Sequence, residues 1–145
     1  MGASKFLSPA QQQQVVAAIV EAERCTSGEI RVHIESRCSG DPVERAIYLF
    51  DHLKMNETAQ RNGVLIYVAY QSHKLAILGD QGINEVVPAD FWNAIKDGLL
   101  AHFAKGSYAE GLVEAILAAG QQLKAYFPYQ EDDINEQSDE ISFGD

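Results

Sequence analysis

Val64 to Tyr70 is a run of seven residues without a charge, placed between the polar stretch Thr58-Ala59-Gln60-Arg61-Asn62-Gly63 and the turn Gln71-Ser72-His73-Lys74. A second apolar run, Leu75 to Gly79, follows the turn and ends at Asp80. The first run is rich in β-branched and aromatic residues and too short for a typical helix, so it predicts a strand. It does not alternate between polar and apolar residues, which places it in the middle of a sheet with both faces buried. The second run returns beside it through the short turn and must be antiparallel. The rest of the chain has to pack around this pair.

Upstream, Ser8-Pro9 supplies a capping hydroxyl and a first-turn proline, and Val15, Val16, Ile19 and Ala22 recur at helical spacing. This predicts a helix over 9–24. Residues 29–36 alternate, with Ile30, Val32 and Ile34 on one side and Arg31, His33 and Glu35 on the other. Such a strand is half exposed and belongs near a sheet edge. Asp41-Pro42 opens a second helix reaching Leu53, whose apolar side includes Ala46, Leu49 and Phe50. A helix between two strands is a crossover, so strands 29–36 and 64–70 are expected to be parallel. A short strand is expected near Val86. Pro88 is read as the start of a helix carrying Trp92, Ile95 and Leu99. Ser107 is read as the cap of a last helix carrying Leu112, Ile116 and Leu123. The fold class expected is a three-layer α/β/α sandwich, a small mixed sheet with helices on both faces.

Length of 145 residues suggests one domain. Charge divides the chain more sharply. Net charge is -10, and residues 130–145 contribute -7 of it through seven acids and no bases. The expected organisation is an α/β domain over 1–129 and an acidic tail over 130–145 that is too poor in apolar residues to fold. Nothing resembles the basic footprint of nucleic-acid binding. No signal peptide, membrane anchor or myristoylation signal is read. Cys25 and Cys38 are too few for a disulfide scaffold, and a cytoplasmic monomer, able to engage a protein partner, is expected.

The predicted strand order brings the start of strand 29–36, the start of strand 64–70 and the end of strand 74–79 to one sheet edge. Glu29, Arg61, Asn62 and Asp80 gather there, with Glu85 just beyond, among Gly28, Gly63, Gly79 and Gly82. Carboxylates and carbonyls in a flexible loop suit a hard cation, so Glu29, Asn62, Asp80 and Glu85 are the candidate ligands of a Ca2+ ion. Other motifs fail on context. Cys25 and Arg31 have the C-x5-R spacing of a cysteine phosphatase, but the thiol ends a helix and the arginine lies in a strand. Asp133, Asn135 and Gln137 imitate an EF-hand opening, but Ser138 and Gly144 occupy the positions that require Gly and Glu.

Thr26-Ser27-Gly28-Glu29-Ile30, Ala46 to Phe50, Arg61-Asn62-Gly63-Val64-Leu65, Ile77-Leu78-Gly79-Asp80-Gln81-Gly82-Ile83, Phe91-Trp92 and Tyr126-Phe127-Pro128 stand in an order that resembles the TPM domain family. The resemblance covers about residues 7–128. It implies a mixed sheet with helices on both faces, calcium binding in some members and acid-phosphatase activity in at least one plant member. Two functions are therefore expected as alternatives. One is a calcium-binding or protein-interaction module. The other is a metal-assisted acid phosphatase acting on phosphate esters, with Asp80 helping to hold the metal and Arg61 neutralising phosphate charge.

Overall fold

A computed structural model of the protein describes residues 5–129 and 139–144. The elements in order are α1 (Pro9–Glu23), β1 (Glu29–Glu35), α2 (Pro42–His52), β2 (Gly63–Ala69), β3 (Lys74–Gly79), α3 (Gln81–Asn84), α4 (Asn93–Ala104), α5 (Tyr108–Leu123) and β4 (Ser142–Phe143). The Ser8 hydroxyl accepts the Gln11 backbone N–H while the Gln11 side chain accepts the Ser8 N–H, a reciprocal capping box. Asp41 accepts the Val43 N–H at 2.9 Å and starts α2 in the same way.

Strand order is β3-β2-β1-β4, with β1 parallel to β2 and β3 antiparallel to it. All seven residues of β2 are buried, as its unbroken apolar run predicts. The two-residue period of the strands divides the core. Ile30, Val32, Ile34, Val64, Ile66 and Val68 face α1, α4 and α5. Leu65, Tyr67, Ala69 and Ala76 lie under Ala46, Leu49 and Phe50 of α2. The expected three-layer α/β/α sandwich is the architecture found.

The structure departs from expectation at five places. β1 is not a sheet edge, because β4 pairs parallel to it with His33 opposite Ser142 and Ile34 opposite Phe143. Residues 139–144 therefore do not behave as the acidic tail they were assigned to; Ile141 and Phe143 pack against the core, and the Gly144 N–H donates to Ile34 O at 2.8 Å. Average composition hid these two apolar side chains among their acidic neighbours. The expectation for 130–138 lies outside the described residues. α4 begins at Asn93 rather than Pro88, after a turn in which Phe91 and Trp92 pack edge to face. Val86 belongs to a turn after α3, not a strand, and Ser107 precedes α5 without a side-chain capping bond.

Candidate functional site

The sheet register brings the predicted residues to one edge. Glu29 is opposite Gly63 and Val64 opposite Gly79; the Glu29 N–H donates to Asn62 O at 3.3 Å and the Asp80 N–H to Gly63 O at 2.9 Å. Arg61 takes a left-handed backbone conformation with φ of 50°. Its Nε and Nη2 donate to Asp80 Oδ2 and Oδ1 at 2.8 and 2.9 Å, a bidentate pair. The Asp80 carboxylate holds the Arg61 guanidinium pKa above its usual value. Asp80 Oδ1 also accepts the Gln81 N–H at 2.7 Å and caps α3. The Gly82 N–H donates to Arg61 O at 2.8 Å, and a Cβ at Gly82 would sit 2.2 Å from Gln60 O. Asn62 is buried, with its amide donating to Ser27 Oγ and its N–H to Thr58 Oγ1, both at 3.3 Å. These bonds stitch two loops to the strand ends.

A cavity of about 530 Å³ opens here, lined by Arg61, Asp80 and Glu85 together with Asp51, Asn56 and Asn84. Glu29 and Asn62 are not among its lining residues. Glu85 stands exposed at the end of α3, where its carboxylate accepts the Gln81 side chain at 3.5 Å. The four predicted calcium ligands thus share an edge without forming one donor set. Both Asp80 oxygens are engaged by a guanidinium whose positive charge opposes a cation beside it. Among the described residues, no group of three or more His, Cys, Asp or Glu is arranged to hold a metal.

Glu29 instead lends its charge to acids that sequence reasoning did not connect. Glu23, at the end of α1, accepts the Ile30 N–H at 2.9 Å. Its carboxyl is also hydrogen-bonded to Asp139 from the C-terminal segment. Burial, then the Asp139 bond, then the Glu29 charge push the Glu23 pKa up to about 10, against the opposing Ile30 bond. Glu23 stands six residues before Glu29 in the sequence, a usable signal, but Asp139 was hidden in the tail.

At the carboxyl end of the parallel strands lies a second polar cluster around Glu35. Arg45 of α2 donates through Nη2 to Glu35 Oε1 and through Nε to Oε2 at 3.1 Å. The Tyr67 hydroxyl donates to Oε2 at 2.6 Å. Burial alone would raise the Glu35 pKa, but the Arg45 and Tyr67 hydrogen bonds outweigh it and hold the carboxyl below its usual range. Burial, and then the hydrogen bond to the same carboxylate, push the Tyr67 phenol upward. His33 places Nδ1 2.9 Å from Ser142 Oγ and Nε2 3.3 Å from Glu35 Oε1, the latter without hydrogen-bond alignment. Burial pushes the His33 imidazole pKa down, with Glu35 opposing. A cavity of about 600 Å³ lined by Glu35, Arg37, Asp41, Glu44 and Arg45 opens beside this cluster. Sequence reading assigned Arg31, His33 and Glu35 to solvent and missed it.

A four-stranded mixed sheet between α2 and the α1/α4/α5 layer, with polar clusters at both strand ends, defines a small three-layer α/β domain. The chain belongs to the TPM domain family, whose match spans residues 3–122. It is 44% identical to the BA42 protein of the psychrophilic bacterium Bizionia argentinensis, covering 97% of each chain with a TM-score of 0.91 to its NMR structure. The NMR structure of the N-terminal domain of cg2496 from Corynebacterium glutamicum shares the fold, with a TM-score of 0.62, 13% identity and coverage of 96% of this chain and 80% of that one. No curated protein matches the chain. No helix among the described residues is long and apolar enough to cross a membrane.

Proposed function

We propose that this TPM domain is a calcium-binding module without a catalytic step of its own, and that the hydrogen-bonded carboxyls of Glu23 and Asp139 are its oxygen donors, with the charge of Glu29 nearby. The observation that carries this reading is the partly buried Glu23 carboxyl, hydrogen-bonded to Asp139 with the charge of Glu29 added. Three acids so placed repel one another unless one keeps its proton or a cation takes the proton's place. Calcium suits such a set because it accepts irregular arrangements of carboxylate and carbonyl oxygens. The ion would neutralise the acids and tie the C-terminal segment to the end of α1.

Calcium titration of the ¹⁵N-labelled full chain tests this. Shifts are expected at Glu23, Glu29, Ile30 and Asp139. Glu23→Gln preserves a hydrogen-bonding side chain but removes one charge, and is expected to weaken binding at least tenfold. Asp80→Asn, in the Arg61 pair, should change affinity less than twofold. Shifts confined to the Asp80–Glu85 cavity would refute the assignment.

The phosphatase alternative asked Asp80 to hold a metal and Arg61 to face a phosphate. Those two side chains are bonded to each other, and no specific observation among the described residues favours that chemistry.

A further inference from the structure

We propose that the outer edge of β3 pairs with the same edge of a second copy of this chain, closing a two-fold dimer in place of the monomer expected from sequence. β3 ends the strand order on the side away from β4. The Asp80 N–H donates to Gly63 O, so these two residues form a hydrogen-bonded pair of the β2–β3 ladder. Such pairs alternate along antiparallel strands. Lys74, Ala76 and Leu78 therefore turn their main-chain groups to β2, while Leu75, Ile77 and Gly79 turn theirs outward. The Asn84 amide donates to Gly79 O at 3.0 Å from that outer side, as the alternation requires. Among the described residues, no hydrogen bond reaches the outward main-chain groups of Leu75 or Ile77. From Leu75 to Gly79 the strand carries no charge and no proline, and its register with β2 is unbroken, so it lacks the devices that blunt a sheet edge.

The occupant is a second copy because this edge is complementary to itself. Outward groups must meet outward groups in an antiparallel pair. The register that uses all three outward residues sets Ile77 opposite its own copy on the two-fold axis, Leu75 opposite Gly79, and Lys74 opposite Asp80. Lys74 Nζ donates to the carbonyls of Cys38 and Gly40 at 3.0 and 2.7 Å, and among the described residues no acid neutralises it. The cavity beside Asp80 is lined by Asp51, Asp80 and Glu85 against Arg61 alone, so it is acidic. Each end of the pairing thus sets a positive charge against an acidic rim, and symmetry repeats the match. Apolar side chains flank the strand on both faces. Ile47 of α2 is 54% exposed and shares a cavity with Leu78; Leu100 of α4 is 44% exposed and shares a cleft of about 190 Å³ with Leu75. Pairing across β3 removes part of that apolar surface from water. This inference needs no cation and stands apart from the calcium reading.

Sedimentation velocity of the full chain in EDTA, from about 10 µM to about 1 mM, tests this, because small interfaces associate in that range. A shift from monomer to dimer is expected. Amide hydrogen exchange across the same range locates the contact. Protection of the Ile77 amide should rise about fivefold or more with concentration, while Ala76 and Leu78, already bonded to β2, stay protected throughout. Ile77→Lys and Ile77→Glu each place like charges on the axis and should weaken association about tenfold or more. An equal mixture of the two variants places opposite charges there and should recover the dimer to within about threefold of wild type. The proposal is overturned by a wild-type chain that stays monomeric at the top of the range, by a dimer whose Ile77 amide gains no protection, or by a mixture that associates no more tightly than either variant alone. If either variant fails to fold, the exchange of the wild-type Ile77 amide decides.

Discussion

Arg45→Met removes one charge from the Glu35 cluster while keeping much of the apolar stem. The ion pair is half open, with the Arg45 side chain 40% exposed and the Glu35 side chain 6% exposed. Breaking a fully buried pair costs about 3–5 kcal/mol, whereas an exposed pair contributes at most about 1 kcal/mol. Glu35 keeps the Tyr67 hydroxyl at 2.6 Å after the change, which softens the loss. The expected destabilisation at neutral pH is therefore about 2 kcal/mol, a fall in Tm of about 4–8 °C for a chain of this size. The pH dependence separates charge from packing. Glu35 has a folded-state pKa below its ordinary value, so its stabilisation is present above the unfolded-state carboxylate pKa and is lost as pH falls through the folded-state pKa. The gap between wild type and Arg45→Met should narrow as pH drops from 7 toward and below the ordinary carboxylate range. Urea melts of both proteins across that range are the assay. A gap below about 0.5 kcal/mol at pH 7, or one constant with pH, would refute the charge argument and leave only lost side-chain packing.

Gly82→Ala should be severe, because the new Cβ meets the carbonyl oxygens of Gln60 and Arg61 at 2.2 and 2.6 Å and backbone must move; a loss of about 3 kcal/mol in chemical denaturation is expected. Tyr67→Phe removes the 2.6 Å hydrogen bond to a buried carboxylate and should cost about 1.5–3 kcal/mol in the same assay. Truncation after Ser138 removes β4 and the packing of Ile141 and Phe143, so calorimetry should show Tm lower by several degrees, about 2 kcal/mol for two partly buried apolar side chains. An unchanged Tm would mean that the segment does not dock.

Local sequence determined most of the framework. The uncharged run at 64–70 could only be a central strand, the Ser8 and Asp41 caps marked two helix starts, and the crossover helix made β1 parallel to β2. These features depend on neighbours within a few positions, where capping, period and turn chemistry act. They also sufficed to bring Glu29, Asn62 and Asp80 to one edge, since strand direction alone dictates which ends meet. Sequence could not say what the side chains do on arrival. Asp80 turned to Arg61 and the α3 cap, while Glu29 came under the influence of Glu23 and Asp139. Such choices depend on distances of a few ångströms between residues far apart in the chain. Alternation along β1 assigned His33 and Glu35 to water, and only the arrival of α2 and β4 buried them. The burial of a strand's second face is a property of whatever packs on it. The six residues at 139–144 changed most for that reason: their acidic context argued for solvent, and the groove between α1 and β1 supplied the apolar surface that Ile141 and Phe143 could not find in their own segment.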